Sequence, residues 1–189
     1  MRTVKWVGTW ALATIALACG PTAPEGSRTG LDREGQNLEA GVQEKVTGGG
    51  QFVHPDFGTV TFAFVAIRHG DGRVTGRFHQ KQHDLGFKYR GDVTCFAIDT
   101  ENHRAWIGGV LTQSNDPDPV TEVGDDAWFR VLDLGQGSST PPDRSTFMGF
   151  DMGAPPFDTS ENYCAARPWP EGDARTWPVV AGNIEIHEK

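Results

Sequence analysis

The chain has 189 residues, with 17 basic and 25 acidic side chains that give a formal charge of −8 at neutral pH. A chain of this length forms one ordinary domain by default. Its negative charge opposes binding to nucleic acid and direct adsorption to anionic lipid, so we expect neither interaction.

The first 18 residues are typical of a cleaved export signal. Two basic side chains precede a largely apolar run, Trp6 to Ala18, whose 13 residues are fewer than the ~20 that a bilayer-spanning helix needs. Because Cys19 follows directly, we predict a bacterial lipoprotein whose mature chain begins at a lipidated Cys19 and is held to the membrane by that lipid. The preceding Ala-Leu-Ala also fits ordinary secretory cleavage, which is the alternative.

The number of cysteines supports lipidation. If Cys19 carries lipid, Cys95 and Cys164 remain as an even pair, and an exported compartment favours their oxidation to a disulfide. The alternative is that Cys95 is a small buried apolar residue. We therefore predict an exported, lipid-anchored protein of the cell envelope with a Cys95–Cys164 bridge. Gly20 after the cysteine, in place of aspartate, favours the outer membrane or the cell surface.

Residues 19–41 predict a disordered tether. They are rich in Pro, Gly and Ser, and their only large apolar side chains are Leu31 and Leu38. Such a segment buries too little surface to offset its ordering entropy, and ~20 residues of coil span roughly 25 Å. The folded part can therefore sit just off the membrane. The chain after residue 18, tether included, has a net charge of −10, since removal of the signal removes two basic residues.

Residues 42–189 predict an all-β domain, because short β-branched and aromatic runs alternate with Gly, Asp, Asn and Pro. The clearest strand is Thr59–Arg68, which is apolar on both faces and therefore central. Asp71-Gly72 behind it predicts a hairpin turn, since glycine tolerates positive φ. The nine predicted strands cover residues 43–52, 59–68, 73–80, 86–89, 93–99, 105–112, 127–134, 145–150 and 183–187.

Many short strands at this spacing favour a single small barrel or a barrel-like sandwich. Glycines at 48–50 and 108–109 lie inside strand-like sequence, where they permit sharp coiling or bulges, and favour the barrel. Proline-rich loops are expected at 113–126 and 151–181. The interior is solid if four phenylalanines fill it, whereas a cavity of several hundred Å3 would favour a bound ligand. These phenylalanines are Phe62, Phe64, Phe78 and Phe129.

Two clusters are weak candidates for metal ligands. His79 and His83 are four residues apart, but the sequence designates no third ligand for zinc. Asp116 and Asp118 open an acidic loop whose spacing fails the EF-hand pattern. We therefore expect solvated polar residues at both places, and no metal or other cofactor. The remaining histidines near turns, His54, His69 and His103, are expected at the surface.

Four tryptophans could contribute to a contact surface. Trp106 and Trp128 lie in predicted strands and are expected in the barrel core. Trp169 and Trp177 lie beside prolines in the last loop, so they are the better candidates for binding, although they could simply cap one end of the barrel. Hydrolase motifs such as Gly-x-Ser-x-Gly and Ser-x-x-Lys are absent from the sequence, so we expect no catalytic residues and no enzyme.

Six segments resemble a small, uncharacterised all-β domain of exported bacterial proteins and lipoproteins, the VTGGG-type domain, which sometimes stands beside choice-of-anchor domains. These segments are Val46–Phe52, Val93–Cys95, Ala105–Gly109, Phe129–Gly135, Pro142–Arg144 and Gly182–His187. The resemblance covers about Val42 to His187, and this chain departs from it in longer segments at 116–126 and 164–177. It implies an all-β fold and an exported address, and it implies no activity.

The sequence as a whole favours a membrane-anchored lipoprotein with a non-enzymatic β-domain that serves as a surface interaction or structural module, with a protein or glycan partner that the sequence does not identify. One alternative is a ligand-binding barrel for a small apolar molecule or a glycan. A weaker alternative is an enzyme whose site lies in the loop inserts. A cleft in which His converges with Asp or Glu would favour the enzyme, and dispersed histidines would oppose it.

Overall fold

The computed structural model describes residues 41–135, 141–151 and 157–188. The predicted signal, Cys19 and the predicted tether up to residue 40 lie outside these residues.

The described residues form nine strands and one short α-helix. The strands are β1 (Val42–His54), β2 (Gly58–His69), β3 (Val74–Gln82), β4 (Lys88–Asp99), β5 (Arg104–Ser114), β6 (Asp126–Leu132), β7 (Arg144–Ser145), β8 (Gly149–Phe150) and β9 (Trp177–Glu188). The helix α1 covers Ser160–Ala166, and single 3₁₀ turns cover Pro119–Thr121 and Glu171–Asp173.

Eight antiparallel strands close into a barrel. Their order around the barrel is β1, β2, β3, β4, β5, β6, β7, β9, and β9 pairs with β1 to complete the circle. The remaining strand, β8, continues the line of β7 and pairs with the first half of β6. The prediction of an all-β barrel of about nine strands is confirmed.

Four elements differ from the prediction. The single strand predicted at 145–150 is two separate two-residue strands, β7 and β8. Residues 88–99 form one strand, β4, because the chain passes through two register shifts against β5 without leaving the sheet. Strand β9 begins at Trp177 rather than at 183, since a register shift lets Val179 pair with Phe52. Helix α1 replaces part of a predicted loop; Thr159 caps its N-terminus by accepting a hydrogen bond from Asn162 N, and Arg167 ends it in the left-handed conformation.

Phenylalanines fill the barrel interior. Phe62, Phe64, Phe78 and Phe129 are all buried in one core cluster. The Phe129 ring meets those of Phe64 and Phe78 edge-on, at centroid distances of 5.2 and 6.0 Å. Burying each such side chain stabilises the fold by about 1.5–3 kcal/mol. The four rings thus lie where the solid interior considered from the sequence requires them.

One polar side chain crosses this interior. Gln80 of β3 is 2% exposed and lies opposite β7, four strands away in either direction. Its Nε2 donates to Thr146 O at 3.2 Å, and its Oε1 accepts from Met148 N at 3.0 Å. These backbone groups lie between β7 and β8, where regular pairing with β6 is interrupted. Both ends of the Gln80 amide are therefore satisfied by the opposite wall.

Carboxylates complete the ladder beside β9. Its pairing with β7 is only two residues long. Further along β9, Ile184 N donates to Asp143 Oδ2 at 2.7 Å and Ile186 N donates to Asp133 Oδ2 at 3.0 Å. Burial raises the pKa of Asp143, against the hydrogen bonds that its carboxylate accepts. Two side chains thus take the place of a strand partner at the seam of the barrel.

Helix α1 packs outside the barrel against β4 and β5. The Sγ atoms of Cys95 and Cys164 lie 2.14 Å apart, at disulfide distance, as the sequence predicts. Gly108 permits this close packing, because a Cβ there would stand 2.8 Å from Ser160 Cβ and 2.9 Å from Cys95 Sγ. The bridge holds the last loop against the wall of the barrel.

We expect the double variant Cys95→Ala/Cys164→Ala to lose roughly 4 kcal/mol of unfolding free energy, because the bridge closes a loop of about 70 residues in the unfolded chain. Urea unfolding of the oxidised protein and of the variant measures this difference. Unfolding curves that coincide, with both thiols of the parent protein alkylatable, would contradict the bridge.

Candidate functional site

A second aromatic cluster lies on the outer wall of the barrel. It contains Trp106, Trp128 and Tyr163, with Trp169 packed against it. The sequence predicted Trp106 and Trp128 in the barrel core, and that placement is wrong. Both are buried, but they point outwards and are covered by α1 and the last loop, because their neighbours in the strands take the inward positions.

A cleft opens beside this cluster, between β6, the interrupted β7–β8 edge and the last loop. We call it the Trp–Arg cleft, and its volume is about 260 Å3. This is just below the ~300–1,000 Å3 of sites that hold drug-sized molecules, so the cleft suits one ring-sized group. The side chains that define it are Trp128, Arg130, Met148, Tyr163, Arg175 and Trp177.

Aromatic rings form two sides of the cleft. Trp128 and Tyr163 stack with centroids 5.6 Å apart and planes 22° from parallel. A glycine at 149 keeps this side open, because a Cβ there would lie 2.6 Å from the indole Nε1 of Trp128. Trp177 on the other side stacks on Phe52 at 6.0 Å, so it also covers one end of the barrel core. The rings are thus held in place by the fold itself.

Arg130 is a buried cation of the cleft. It is only 8% exposed, and its Nε has no hydrogen-bond partner among the described residues. Its Nη2 donates to Ala174 O at 2.7 Å, and its guanidinium lies 5.4 Å from the Trp169 ring. Within the described parts of the chain no carboxylate forms an ion pair with it. A buried charge with so little compensation carries a desolvation cost.

The neighbouring carboxylate is already occupied. Asp173 accepts from Trp169 Nε1 at 2.8 Å and lies 3.7 Å from Arg104. Arg104 in turn lies 4.5 Å from the Trp169 ring, so Trp169 packs between two guanidinium groups. Asp173 therefore neutralises Arg104 and leaves Arg130 without an acid.

Two further polar groups face the cleft. Burial raises the pKa of Tyr163 to about 12, although the adjacent Arg130 guanidinium favours the ionised form. Tyr163 is therefore a neutral hydroxyl at ordinary pH. Arg175 is exposed at the rim, and its φ of 63° belongs to the left-handed region that non-glycine residues rarely adopt. The cleft thus combines aromatic surface with two arginines and a phenol.

The predicted binding tryptophans lie at this site. Trp177 lines the cleft, and Trp169 packs behind Arg130 without lining it. Sequence reasoning missed Arg130, Tyr163 and Arg175. Arg130 had a usable signal, since it is a single cation within the otherwise apolar part of β6. The positions of Tyr163 and Arg175 depend on α1 and on the path of the last loop. The sequence carries no comparable pattern that predicts either.

The weak metal candidates are not brought together. No group of three His, Cys, Asp or Glu side chains suited to a metal occurs among the residues that the structure describes. His83 Nε2 bonds Thr61 Oγ1 at 2.7 Å, while His79 lies further along the outer face of β3. Asp116 accepts from the Tyr89 hydroxyl, and Asp118 caps a 3₁₀ turn by accepting from Val120 N at 3.1 Å. Both carboxylates hold their own loop.

His54 was expected at the surface, and it is buried. It is 8% exposed and lies between the rings of Phe57 and Trp177, at 4.4 and 4.2 Å. Its Nδ1 accepts from Asp56 N at 3.1 Å. Burial lowers its pKa, only partly opposed by the negative charge of Asp56. His54 is buried because Trp177, the first residue of β9, packs against it. Sequence reasoning placed the start of this strand at 183 and therefore missed the contact.

Acid should destabilise the fold through His54. Its pKa is lower in the folded state than the ~6.5 of an unfolded chain, so the unfolded state binds more protons once the pH falls below about 6.5. Stability is complete above that pH and declines as the pH falls towards the native pKa. His79, whose pKa is lowered by burial and by the charges of Arg90, Lys81 and Lys88, acts in the same direction.

The measurement is the melting temperature between pH 7.5 and 5. We expect His54→Asn to lower it at pH 7.5 and to make its pH dependence shallower. His103→Asn is the matched control, because His103 is exposed in a turn at a φ of 54° that asparagine tolerates. An unchanged slope in His54→Asn would show that His54 is not the group responsible.

Comparisons with protein-family models, with curated proteins and with solved structures found no match to this chain. Over the described residues, no helix combines the length and the apolar character of a membrane span. The resemblance to an exported bacterial domain stays a prediction, and the function has to be inferred from the Trp–Arg cleft.

Proposed function

We propose that the protein is a membrane-anchored, non-enzymatic recognition module of the cell envelope, which binds its ligand in the Trp–Arg cleft. The observation that carries this proposal is Arg130, a buried guanidinium that lines the cleft without a carboxylate partner among the described residues. Its bond to Ala174 O and its contact with Trp169 help to hold the last loop, but neither supplies a negative charge, and a bound anion would.

The filled interior favours recognition on the outer wall. Phe62, Phe64, Phe78 and Phe129 occupy the space that a molecule inside the barrel would need. The alternative of a barrel holding a small apolar molecule therefore has little support, while a glycan can still bind on the outside. Aromatic side chains with adjacent polar groups are common components of such surfaces.

The position of the cleft suits a tethered protein. The chain enters the barrel at Gly41, at the start of β1, and Trp177 contacts Phe52 and His54 near the end of β1. Ten residues of strand separate Val42 from Phe52, roughly 33 Å at ~3.3 Å per residue. A lipid on Cys19 would hold the membrane near the first end, and the cleft would face away from it.

The chemistry of the cleft supports binding rather than catalysis. Its walls carry arginine, tryptophan and a tyrosine whose raised pKa makes it a poor base near neutral pH. The six histidines are dispersed over the barrel, and the one His–acid ion pair of the described residues, His187 with Glu185, lies at the end of β9. A general base is thus missing from the described lining of the cleft.

Lipid anchoring is tested with Cys19→Ser. We expect the parent protein to partition with membranes and to need detergent for release, and the variant to be soluble after export. The Cys95→Ala/Cys164→Ala variant is the control, because it removes the other two cysteines and should stay in the membrane fraction. Detergent-dependent partitioning of Cys19→Ser would refute the anchor.

Recognition is tested by mapping ligand-induced NMR shifts on the mature chain against neutral, amino and acidic saccharides and an apolar dye. We expect at least one saccharide class to shift the indole signals of Trp128 and Trp177, and Arg175→Gln to weaken that response. Arg77→Gln is the matched control, since that side chain is 87% exposed on β3. A panel that shifts neither indole would overturn the proposed function.

A further inference from the structure

We propose that the Trp–Arg cleft takes an acidic sugar residue, a pyranose ring that carries a carboxylate, with the carboxylate bound by Arg130 and Arg175. This inference rests on the proposed function and names its ligand class. It combines two features of the cleft, which are a buried cation without a carboxylate partner among the described residues and an aromatic-lined slot of ring size.

The environment of Arg130 favours a ligand with a negative charge. Its guanidinium is taken out of water, one nitrogen is held by Ala174 O, and Nε is left without a partner among the described residues. The acid that precedes Ala174 in the chain, Asp173, is shared by Arg104 and Trp169. A carboxylate matches this side chain, because a planar guanidinium can donate two parallel N–H···O bonds to one carboxylate.

Arg175 supplies a second cation at the rim. It is exposed, and the last loop holds its backbone in the left-handed region beside the cleft. Arg175 and Arg130 line the same cleft, so both charges act on an anion that enters it. Charge attraction at the rim and a paired hydrogen bond inside together favour a carboxylate over an uncharged group.

The size and the lining of the Trp–Arg cleft favour a ligand with one ring. About 260 Å3 between Trp128, Met148 and Trp177 suits one ring with its substituents. The walls are not uniformly apolar, because the Trp128 indole Nε1 lies beside residue 149 and the Tyr163 hydroxyl lies beside Arg130. A hydroxylated ring can bond these groups while its C–H face packs on indole. A bare aromatic ring offers the indole N–H no acceptor.

The test compares two ligands that differ in the acidic group alone. Methyl β-D-glucuronide and methyl β-D-glucoside share ring and hydroxyls, and sodium acetate supplies the carboxylate without a ring. Each is titrated into the full mature chain while the indole signals of Trp128 and Trp177 are followed by NMR. We expect saturable shifts with the glucuronide, at least ten-fold weaker binding of the glucoside, and no saturable shift with acetate.

Variants of Arg130 and Arg175 test where the carboxylate of the ligand binds. Arg175→Gln should weaken glucuronide binding several-fold without lowering the melting temperature, whereas Arg130→Gln should abolish saturation. Arg130→Lys serves as a second variant, since it keeps a charge and loses the planar donors, and it should bind at least ten-fold more weakly than the parent. Arg77→Gln should bind as the parent protein does.

Several results would overturn the inference. Equal binding of glucoside and glucuronide would show that the ligand needs no acidic group. Saturation of the same indole shifts by acetate would show that the ligand needs no ring. Binding that is unchanged in both Arg130 variants would place the carboxylate elsewhere. If another saccharide class of the wider panel shifts the indoles and the glucuronide does not, the acidic ligand is wrong while the proposed recognition function stands.

Discussion

The paired hydrogen bonds of Gln80 connect the two halves of this barrel. From β3, the side chain spans the interior and binds Thr146 O and Met148 N on the opposite wall. Those groups belong to the interruption between β7 and β8, where strand pairing alone leaves backbone unpaired. The same stretch carries Met148 and residue 149 into the Trp–Arg cleft. A polar contact inside the barrel thus shapes a surface outside it.

The cleft also depends on elements added around the barrel. The bridge at Cys164 fixes α1, and α1 brings Tyr163 against Trp128. The last loop is held differently, by Trp169 packed between the guanidinium groups of Arg104 and Arg130. Arg104 pairs with Asp173, whereas Arg130 has no carboxylate partner among the described residues. The proposed ligand would supply that partner.

The strands were predictable because their signals are local. The run of β-branched and aromatic residues along β2 predicted a strand there, and cysteine parity paired Cys95 with Cys164. The positions of the tryptophans were harder to predict. The sequence around Trp106 does not indicate whether an outward-facing side chain is exposed to water or covered by α1. Helix α1 has seven residues, too few for its apolar period to be recognised.

The candidate site was predictable only in part. Trp177 was singled out by its prolines, and it lines the cleft. Arg130 and Arg175 become neighbours only through the path of the last loop, which a single sequence does not specify. His54 was misplaced for a related reason, because its burial depends on the first residues of β9, whose start lies six residues before the predicted one.

Closure of the barrel joins the first strand to the last. Glu44 pairs with Glu188, 144 positions later, and the ladder between β1 and β9 continues as far as Phe52. Contacts between residues so distant in sequence form late and slow the folding of a domain. A chain whose residues 177–188 have not yet been made lacks β9, so its β1 edge stays open until those residues are available. The barrel therefore closes only once residues 177–188 can reach β1, far behind it in the chain.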